Sequence, residues 1–263
     1  MQIRNKVVVI TGGASGIGKA LAERFHAEGA RGIAVADLNE EGARAVAASV
    51  HGLAFRCDVS KEADIVRLVE ETELRLGPID LFCSNAGVAY GDDREKGAAS
   101  LSNQLWQKAW EINVMSHVYA ARALLPRMIA RGEGYFLQTA SAAGLLMQIG
   151  ASSYSVTKAG AVSFAEMLAV THGEQGIKVS VLCPQGVDTP MLRAGNDRNP
   201  ARTDGVKTVE EVAEAVVKGI EAERFLILPH EEVATYAERK GQDRERWLAG
   251  MRRLRAKLGA AGF

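Results

Sequence analysis

Tyr154 and Lys158 stand four residues apart in a helix-forming stretch, so on a helix their side chains lie one above the other. A free tyrosine titrates near 10, and a neighbouring ammonium favours its phenolate. Such a tyrosine can take a proton from a hydroxyl or give one to a carbonyl oxygen. The YxxxK spacing alone also describes an exposed Tyr beside a solvated Lys, so the reading depends on what else the chain provides.

A glycine-rich turn provides a second chemical feature. Thr11-Gly12-Gly13-Ala14-Ser15-Gly16-Ile17-Gly18 follows a short apolar run and opens a helical pattern. Glycines let the backbone turn tightly and approach a ligand, and the helix start adds N–H groups and a positive dipole end. This suits a pyrophosphate. The spacing Gly12, Gly16, Gly18 is GxxxGxG rather than GxGxxG, and a purely structural turn would read the same way. Asp37 ends the next apolar run, about twenty residues on, where a carboxylate can accept from the adenosine ribose hydroxyls of NAD and repel the extra phosphate of NADP. Ala14, Ser15, Leu38, Asn39, Glu40 and Glu41 supply no cation for that phosphate. The plainer reading of Asp37 is a strand-end residue capping the following helix.

These residues need a frame, and the chain supplies a regular one. Short β-forming runs at 6–10, 32–37, 53–58, 79–84, 134–139, 178–183 and 225–228 alternate with helical stretches at 16–28, 39–50, 61–76, 101–131, 152–174 and 208–223. Most strands are continuously apolar, as expected where both faces are covered. Ser60 is placed to cap the third helix, and Gly29 and Gly77-Pro78 to stop helices. The pattern predicts an α/β fold: one doubly wound Rossmann sheet of about seven parallel strands with helices on both faces. Residues 1–230 form the dinucleotide-binding and catalytic unit, with a polar loop at 190–206, and 231–263 a helical extension of the same domain.

Composition limits the function classes. The 32 basic and 32 acidic residues cancel, which argues against nucleic acid as the main partner. No run reaches the ~20 apolar residues of a membrane helix, and the first residues do not form a secretion signal. A cytoplasmic protein is expected. Cys57, Cys83 and Cys183 are far apart, without a CxxC pair, and read as buried thiols rather than a disulfide or metal site.

Together, Thr11–Gly18, Asp37, Asn85-Ala86-Gly87, Asn113, Ser141, Tyr154 and Lys158 occur in the order and spacing of the short-chain dehydrogenase/reductase family, and the chain resembles it from Lys6 to about Leu228. The resemblance implies an NAD-dependent oxidoreductase interconverting a secondary alcohol and a ketone. Ser141 would hold and polarise the substrate oxygen, and Tyr154 would move the proton. Lys158 would bind the nicotinamide ribose and lower the tyrosine pKa, and Asn113 would anchor a relay water. The cofactor would also meet Gly12, Ser15, Gly16, Ile17, Gly18, Asp37, Asp58, Val59, Asn85, Ala86, Gly87, Val187 and Thr189. Ser141, Ala143, Gln148, Gln185 and Met191 would line the substrate site, with Arg193 a further polar candidate. The apolar character of 142–149 and 190–192 implies a neutral, fairly lipophilic substrate.

The resemblance also implies a homo-oligomer, tetramer or dimer, formed through the stretches 103–131 and 152–174. Two departures are local. Ser84 stands where a second Asn often precedes the NAG motif, and Pro184-Gln185-Gly186 replaces the usual Pro-Gly, which moves the glycine by one and projects Gln185 toward the substrate. An enoyl reductase would space Tyr and Lys more widely, and a cofactor-free lyase would lose the glycine turn. A non-catalytic NAD sensor or scaffold would lose Tyr or Lys. Near the end, Trp247, Met251, Leu254 and Leu258 form one apolar helix face beside Arg252, Arg253, Arg255 and Lys257. That face could pack on its own subunit, on a neighbour, over the pocket or on a membrane surface.

Overall fold

In a computed structural model describing residues 1–93, 95–194 and 200–260, the apolar runs become strands of one sheet. Its seven parallel strands are β1 (Val7–Thr11), β2 (Gly32–Asp37), β3 (Leu53–Arg56), β4 (Leu81–Ser84), β5 (Gly134–Thr139), β6 (Ile177–Leu182) and β7 (Leu226–Ile227). Their order is β3-β2-β1-β4-β5-β6-β7. The order reverses beside β1, between β1 and β4, so a crevice opens there at the carboxyl ends of the strands.

Strand alternation divides the core into two layers. Val7 and Val9 of β1 pack with Ile65, Leu68 and Val69 of α3 (Glu62–Leu76), Ala120 and Leu124 of α5 (Ser116–Arg131), and Ala161 and Ala165 of α7 (Ser152–His172). Val8 and Ile10 face the other way, toward Leu21 and Phe25 of α1 (Gly16–Ala27), Val46 of α2 (Glu40–Ser49), and Val212 and Val216 of α9 (Val209–Glu221). Continuous apolar runs are therefore needed, because both faces of each central strand are covered. Thr208 caps α9 in a full capping box with Glu211.

Several expectations are corrected. Ser60 does not cap α3; its N–H and hydroxyl donate to Asp58, and Lys61 occupies the N-cap position. The stretch 101–131 is not one helix. After α4 (Asn103–Trp110) a π-turn spans Glu111–Met115 before α5 begins. β7 is only two residues long, and β4 starts later than expected. The polar loop at 190–206 contains a helical turn, α8 (Pro190–Arg193), and a 3₁₀ turn at Pro200–Arg202, while 195–199 lie outside the described residues. The C-terminal extension is two helices, α10 (Glu232–Gln242) and α11 (Arg244–Ala260). Trp247 joins Val233, Ala142 and Leu146 in a small cluster, while Met251, Leu254 and Leu258 are half-buried.

Candidate active site

At the carboxyl end of β1 the chain turns through Gly12 and Gly16, at φ +65° and +53°, where L side chains are strained. A Cβ on Gly18 would lie 2.2 Å from the Gly12 carbonyl oxygen, so the turn and helix α1 are in backbone contact. Asn85 ties this turn to the sheet. Its amide donates to the Thr11 and Gly12 carbonyls at 3.1 and 3.3 Å, and its Oδ1 accepts from Thr139 at 3.1 Å. The side chain thus links the ends of β1, β4 and β5. Asp37 does more than face the crevice: one carboxylate oxygen accepts from the Ala14 N–H at 3.0 Å and the other from the Asn39 N–H at 2.9 Å. Hydrogen bonds from Ser60 hold Asp58 below the usual carboxylate range.

Next to the turn, helix α6 (Ala142–Leu145) starts at Ser141, whose Oγ accepts from the Ala143 N–H at 3.1 Å and reaches the Pro184 carbonyl at 3.4 Å. Tyr154 and Lys158 project from the first turns of α7. Burial pushes the Tyr154 phenol above its ordinary value, and the Ser141 hydroxyl pulls it back in part. Lys158 lies one turn further along the same helix. Its ammonium is itself buried, donates to the Thr139 carbonyl at 2.8 Å, and is pushed down by desolvation to about 8. Its Nζ lies 5.8 Å from the Tyr154 ring centroid. Asn113, in the π-turn and fully buried, accepts from the Val88 N–H and donates to the Val88 carbonyl and Thr157 Oγ1. A Cβ on Gly87 would come 3.2 Å from both Asn113 Oδ1 and Lys158 Nζ, so glycine lets that segment close over the pair.

One cleft of about 390 Å³ joins these groups. Its walls include Gly12, Ser15, Gly16, Ile17, Asp37, Asp58, Val59, Asn85, Ala86, Gly87, Val187 and Thr189. Ser141, Gln148, Tyr154, Lys158, Gln185 and Met191 line the same cleft. Gly18 and Asn113 stand behind the wall. Ala143 is off it, buried, with its amide spent on Ser141. Arg193 is also off it, paired with Asp188 on the exposed side at 2.7 and 2.8 Å. Sequence reasoning missed Val88, Ala89, Ile112 and Ala201 on the wall, whereas Leu192 belongs to the apolar segment it named. The four missed residues are plain apolar ones placed by the turns that carry them, so their types gave no signal.

The cleft wall around Gln148 is well anchored. Asp92 accepts from the Ser152 N–H and hydroxyl, and Ser155 Oγ accepts from the Gln148 N–H at 2.8 Å. Met147, next to Gln148, sits at φ +117°, a strained backbone for a non-glycine residue and one that clusters at functional sites. Tyr236 of α10 donates to Asp204 at 3.0 Å, and Lys240 donates to the Leu145 carbonyl, so α10 reaches both the 200–206 segment and α6. Among the described residues no His/Cys/Asp/Glu group is placed to hold a metal, and no helix is long and apolar enough to cross a membrane.

Residues 6–200 match the family model described as short chain dehydrogenase. The chain belongs to this family. It is an oxidoreductase by that membership, and its relatives agree. It is 31% identical over 240 residues to the 1-deoxy-11-beta-hydroxypentalenate dehydrogenase of Streptomyces exfoliatus, covering 86% of this chain and 84% of that one. It is 34% identical over 200 residues to the 2,5-dichloro-2,5-cyclohexadiene-1,4-diol dehydrogenase of Sphingobium indicum, covering 75% of this chain and 78% of that one. In structure it resembles a short chain dehydrogenase/reductase from Burkholderia phymatum solved in complex with NAD, with TM-score 0.82, 27% identity, and 93% and 96% of the two chains covered.

Proposed function

We propose that this short chain dehydrogenase interconverts a neutral, fairly lipophilic secondary alcohol and its ketone, with NAD as the hydride carrier and Tyr154 as the proton-handling residue. The observation that carries the reading is the shared cleft: Ser141, Tyr154 and Lys158 line the same crevice as Gly12, Gly16 and Asp37. The glycine cradle fits a pyrophosphate, since side chains at Gly12, Gly16 or Gly18 would be strained or would clash. Asp37 would face the adenosine ribose, and Asp58 and Val59 the adenine. Val187 and Thr189 would meet the carboxamide, and Lys158 the nicotinamide ribose. When bound, NAD supplies the C4 position that accepts the carbinol hydride.

The protein's own part is proton transfer and placement. In oxidation, Tyr154 as phenolate takes the hydroxyl proton while Ser141 holds the oxygen. In reduction, the phenol returns the proton to the nascent alkoxide. Because burial keeps Tyr154 protonated near neutrality, reduction runs there and oxidation gains with alkaline pH. Asn113 has committed its side-chain amide to Val88 and Thr157, so a relay water near Lys158 would be held by the π-turn's main chain. Val88, Ile112, Met191 and Leu192 on the substrate wall support a lipophilic body, as do two relatives named for hydroxylated carbon skeletons. The unit 1–230 with 231–263 as its extension, in one domain, is supported by the packing of α10 on α6. A cytoplasmic setting is in keeping with three buried free thiols.

A homo-oligomer through α4 and α7 belongs to the same reading. Val156, Met167 and Val170 are exposed along one stripe of α7, with Trp110 of α4 beside Gly160. The direct test is a panel of secondary alcohols and ketones, followed by NADH absorbance at alkaline and neutral pH. Turnover of lipophilic members is expected. NADH binding without turnover of any member would favour a sensor, and a preference for sugars or charged acids would refute the lipophilic assignment.

A further inference from the structure

Helix α10 lies beyond residues 6–200, the part that the family model matches, yet it holds the segments that form the cleft at two places. Its inward face is legible. Val233, Tyr236, Ala237 and Lys240 are the residues of α10 that are not exposed, and their spacing puts them on one side of a helix. Val233, Tyr236 and Ala237 pack in one cluster with Ala142, Leu145 and Leu146, in and just after α6, and Trp247 of α11 joins them. The polar ends of the two long side chains then part. Lys240 Nζ donates to the Leu145 carbonyl, and the Tyr236 hydroxyl donates to Asp204 at 3.0 Å.

The first contact acts on Ser141. That residue is the N-cap of α6, a helix of only four residues, whose last carbonyls need partners from outside. Lys240 supplies one at Leu145, and its ammonium is part-buried there, pushed below the ordinary lysine value by desolvation. Two residues on, Met147 takes φ +117°. A residue strained in this way persists only where its surroundings over-determine it. Here the hold comes from both sides: Lys240 on the Leu145 carbonyl before it, and Ser155 Oγ on the Gln148 N–H at 2.8 Å after it. Ser155 is the neighbour of Tyr154 on α7. The turn from Ser141 to Gln148 is therefore stretched between α10 and the helix of the tyrosine, and both its ends line the cleft.

The second contact acts on the segment 200–207, whose Ala201 is on the cleft wall. The Gly186 N–H donates to the Ala201 carbonyl at 2.9 Å, and the Lys207 N–H donates to the Gly186 carbonyl at 3.0 Å. These bonds fix both ends of the segment to the chain that follows β6. Asp204 lies between them, and Tyr236 holds it.

We propose that Lys240 and Tyr236 are positioning residues for the reaction. Lys240 sets where Ser141 and Gln148 stand by closing the end of α6, and Tyr236 sets where the Ala201 wall stands by holding Asp204. Neither side chain lines the cleft itself. The C-terminal extension is thus part of the frame of the active site, acting on the residues that meet the substrate. The glycine turn is tied instead by Asn85 to the ends of β1, β4 and β5, so cofactor binding is independent of both residues. The proposal rests on the alcohol/ketone reading of the cleft.

The test compares the wild type with Lys240→Met, Lys240→Arg, Tyr236→Phe and, on the exposed side of α10, Glu238→Ala, using the best alcohol found and saturating NAD. Lys240→Met should lower kcat by about tenfold or more, since a misplacement of about 1 Å can cost about 10²-fold. Its NADH affinity should equal that of the wild type. Lys240→Arg, which keeps a donor, should recover most of the rate. Tyr236→Phe should raise the substrate KM about three- to tenfold with kcat retained, the worth of one hydrogen bond. Glu238→Ala should match the wild type. Hydrogen–deuterium exchange gives a readout free of turnover: 142–150 should exchange faster in Lys240→Met, and 11–18 at the wild-type rate. Wild-type kcat or unchanged exchange at 142–150 in Lys240→Met overturns the proposal, as does an equal loss of rate in Lys240→Arg or Glu238→Ala. An unchanged KM in Tyr236→Phe overturns it too, and that variant, which loses a single oxygen, decides the matter should Lys240→Met not fold. Each of these outcomes leaves the alcohol/ketone reading standing. No turnover of any alcohol by the wild type overturns that reading and this proposal together.

Discussion

Tyr154 and Lys158 show how burial changes what a motif predicts. The Tyr–Lys spacing is fully legible in the chain, but the direction of the tyrosine's shift is not, because desolvation depends on what covers the ring. Ser141 and burial act on Tyr154, while Lys158 is itself pushed down to about 8. A lysine whose folded value is lowered binds fewer protons folded than unfolded between about 8 and its ordinary 10.5. Stability from this group therefore rises with pH across that window, and the full cost of burying the ammonium is present below it. Lys158→Met should thus be more stable than the wild type at pH 7, by about 1–3 kcal/mol at about 1.4 per pKa unit. That advantage should shrink by pH 10. Urea unfolding of the cofactor-free proteins at both pH values measures it, and a difference that grows with pH would contradict the assignment. Asp37 likewise was legible as a strand-end carboxylate, whereas its bond to the Ala14 N–H required the turn's geometry. Asp37→Ala should reduce the preference for NAD over NADP by about tenfold or more, read from the two KM values, because it removes the repulsion of the extra phosphate.

Among elements, the central strands were the most legible. Val7–Ile10 and Gly32–Asp37 are covered on both faces, so apolar continuity and strand identity coincide. The β7 edge was less so, since two residues of ladder leave little pattern. The π-turn at Glu111–Met115 was invisible, because inserting one residue in a helix changes no residue type. It nonetheless sets where Asn113 points. The Ser60 cap failed because a hydroxyl has several backbone partners within reach, and Asp58 competes for it. The glycine turn is the element with the sharpest prediction. Gly18→Ala forces a Cβ to within 2.2 Å of the Gly12 carbonyl oxygen. It should cost about 1–3 kcal/mol in stability, as overpacking does, and weaken NADH binding, read by fluorescence quenching. Unchanged NADH affinity would remove the turn from the cofactor site.

At the scale of the whole molecule, the topology puts the chemistry where the strand order reverses, and loops from β4, β5 and β6 complete it. The sequence announced this architecture through its strand–helix rhythm. The cleft walls were legible only in part: the resemblance named Gln148, Gln185 and Met191, whereas segments such as 88–92 and 200–206 are held by long-range hydrogen bonds rather than by pattern. The outer face of α7 carries its own expectation. Met167→Asp with Val170→Asp should dissociate the proposed oligomer, with sedimentation showing a fall from the wild type's multimer mass to monomer mass and little change in the fold. An unchanged mass would place the interface elsewhere. The central claim, that Tyr154 moves the proton in a hydride transfer, is tested most directly by Tyr154→Phe on the best alcohol found, with NADH binding measured alongside. The account predicts a loss of about 10²–10⁴-fold in kcat with NADH affinity intact. Retention of more than about a tenth of the wild-type rate would contradict it, being far less than general acid–base help is worth.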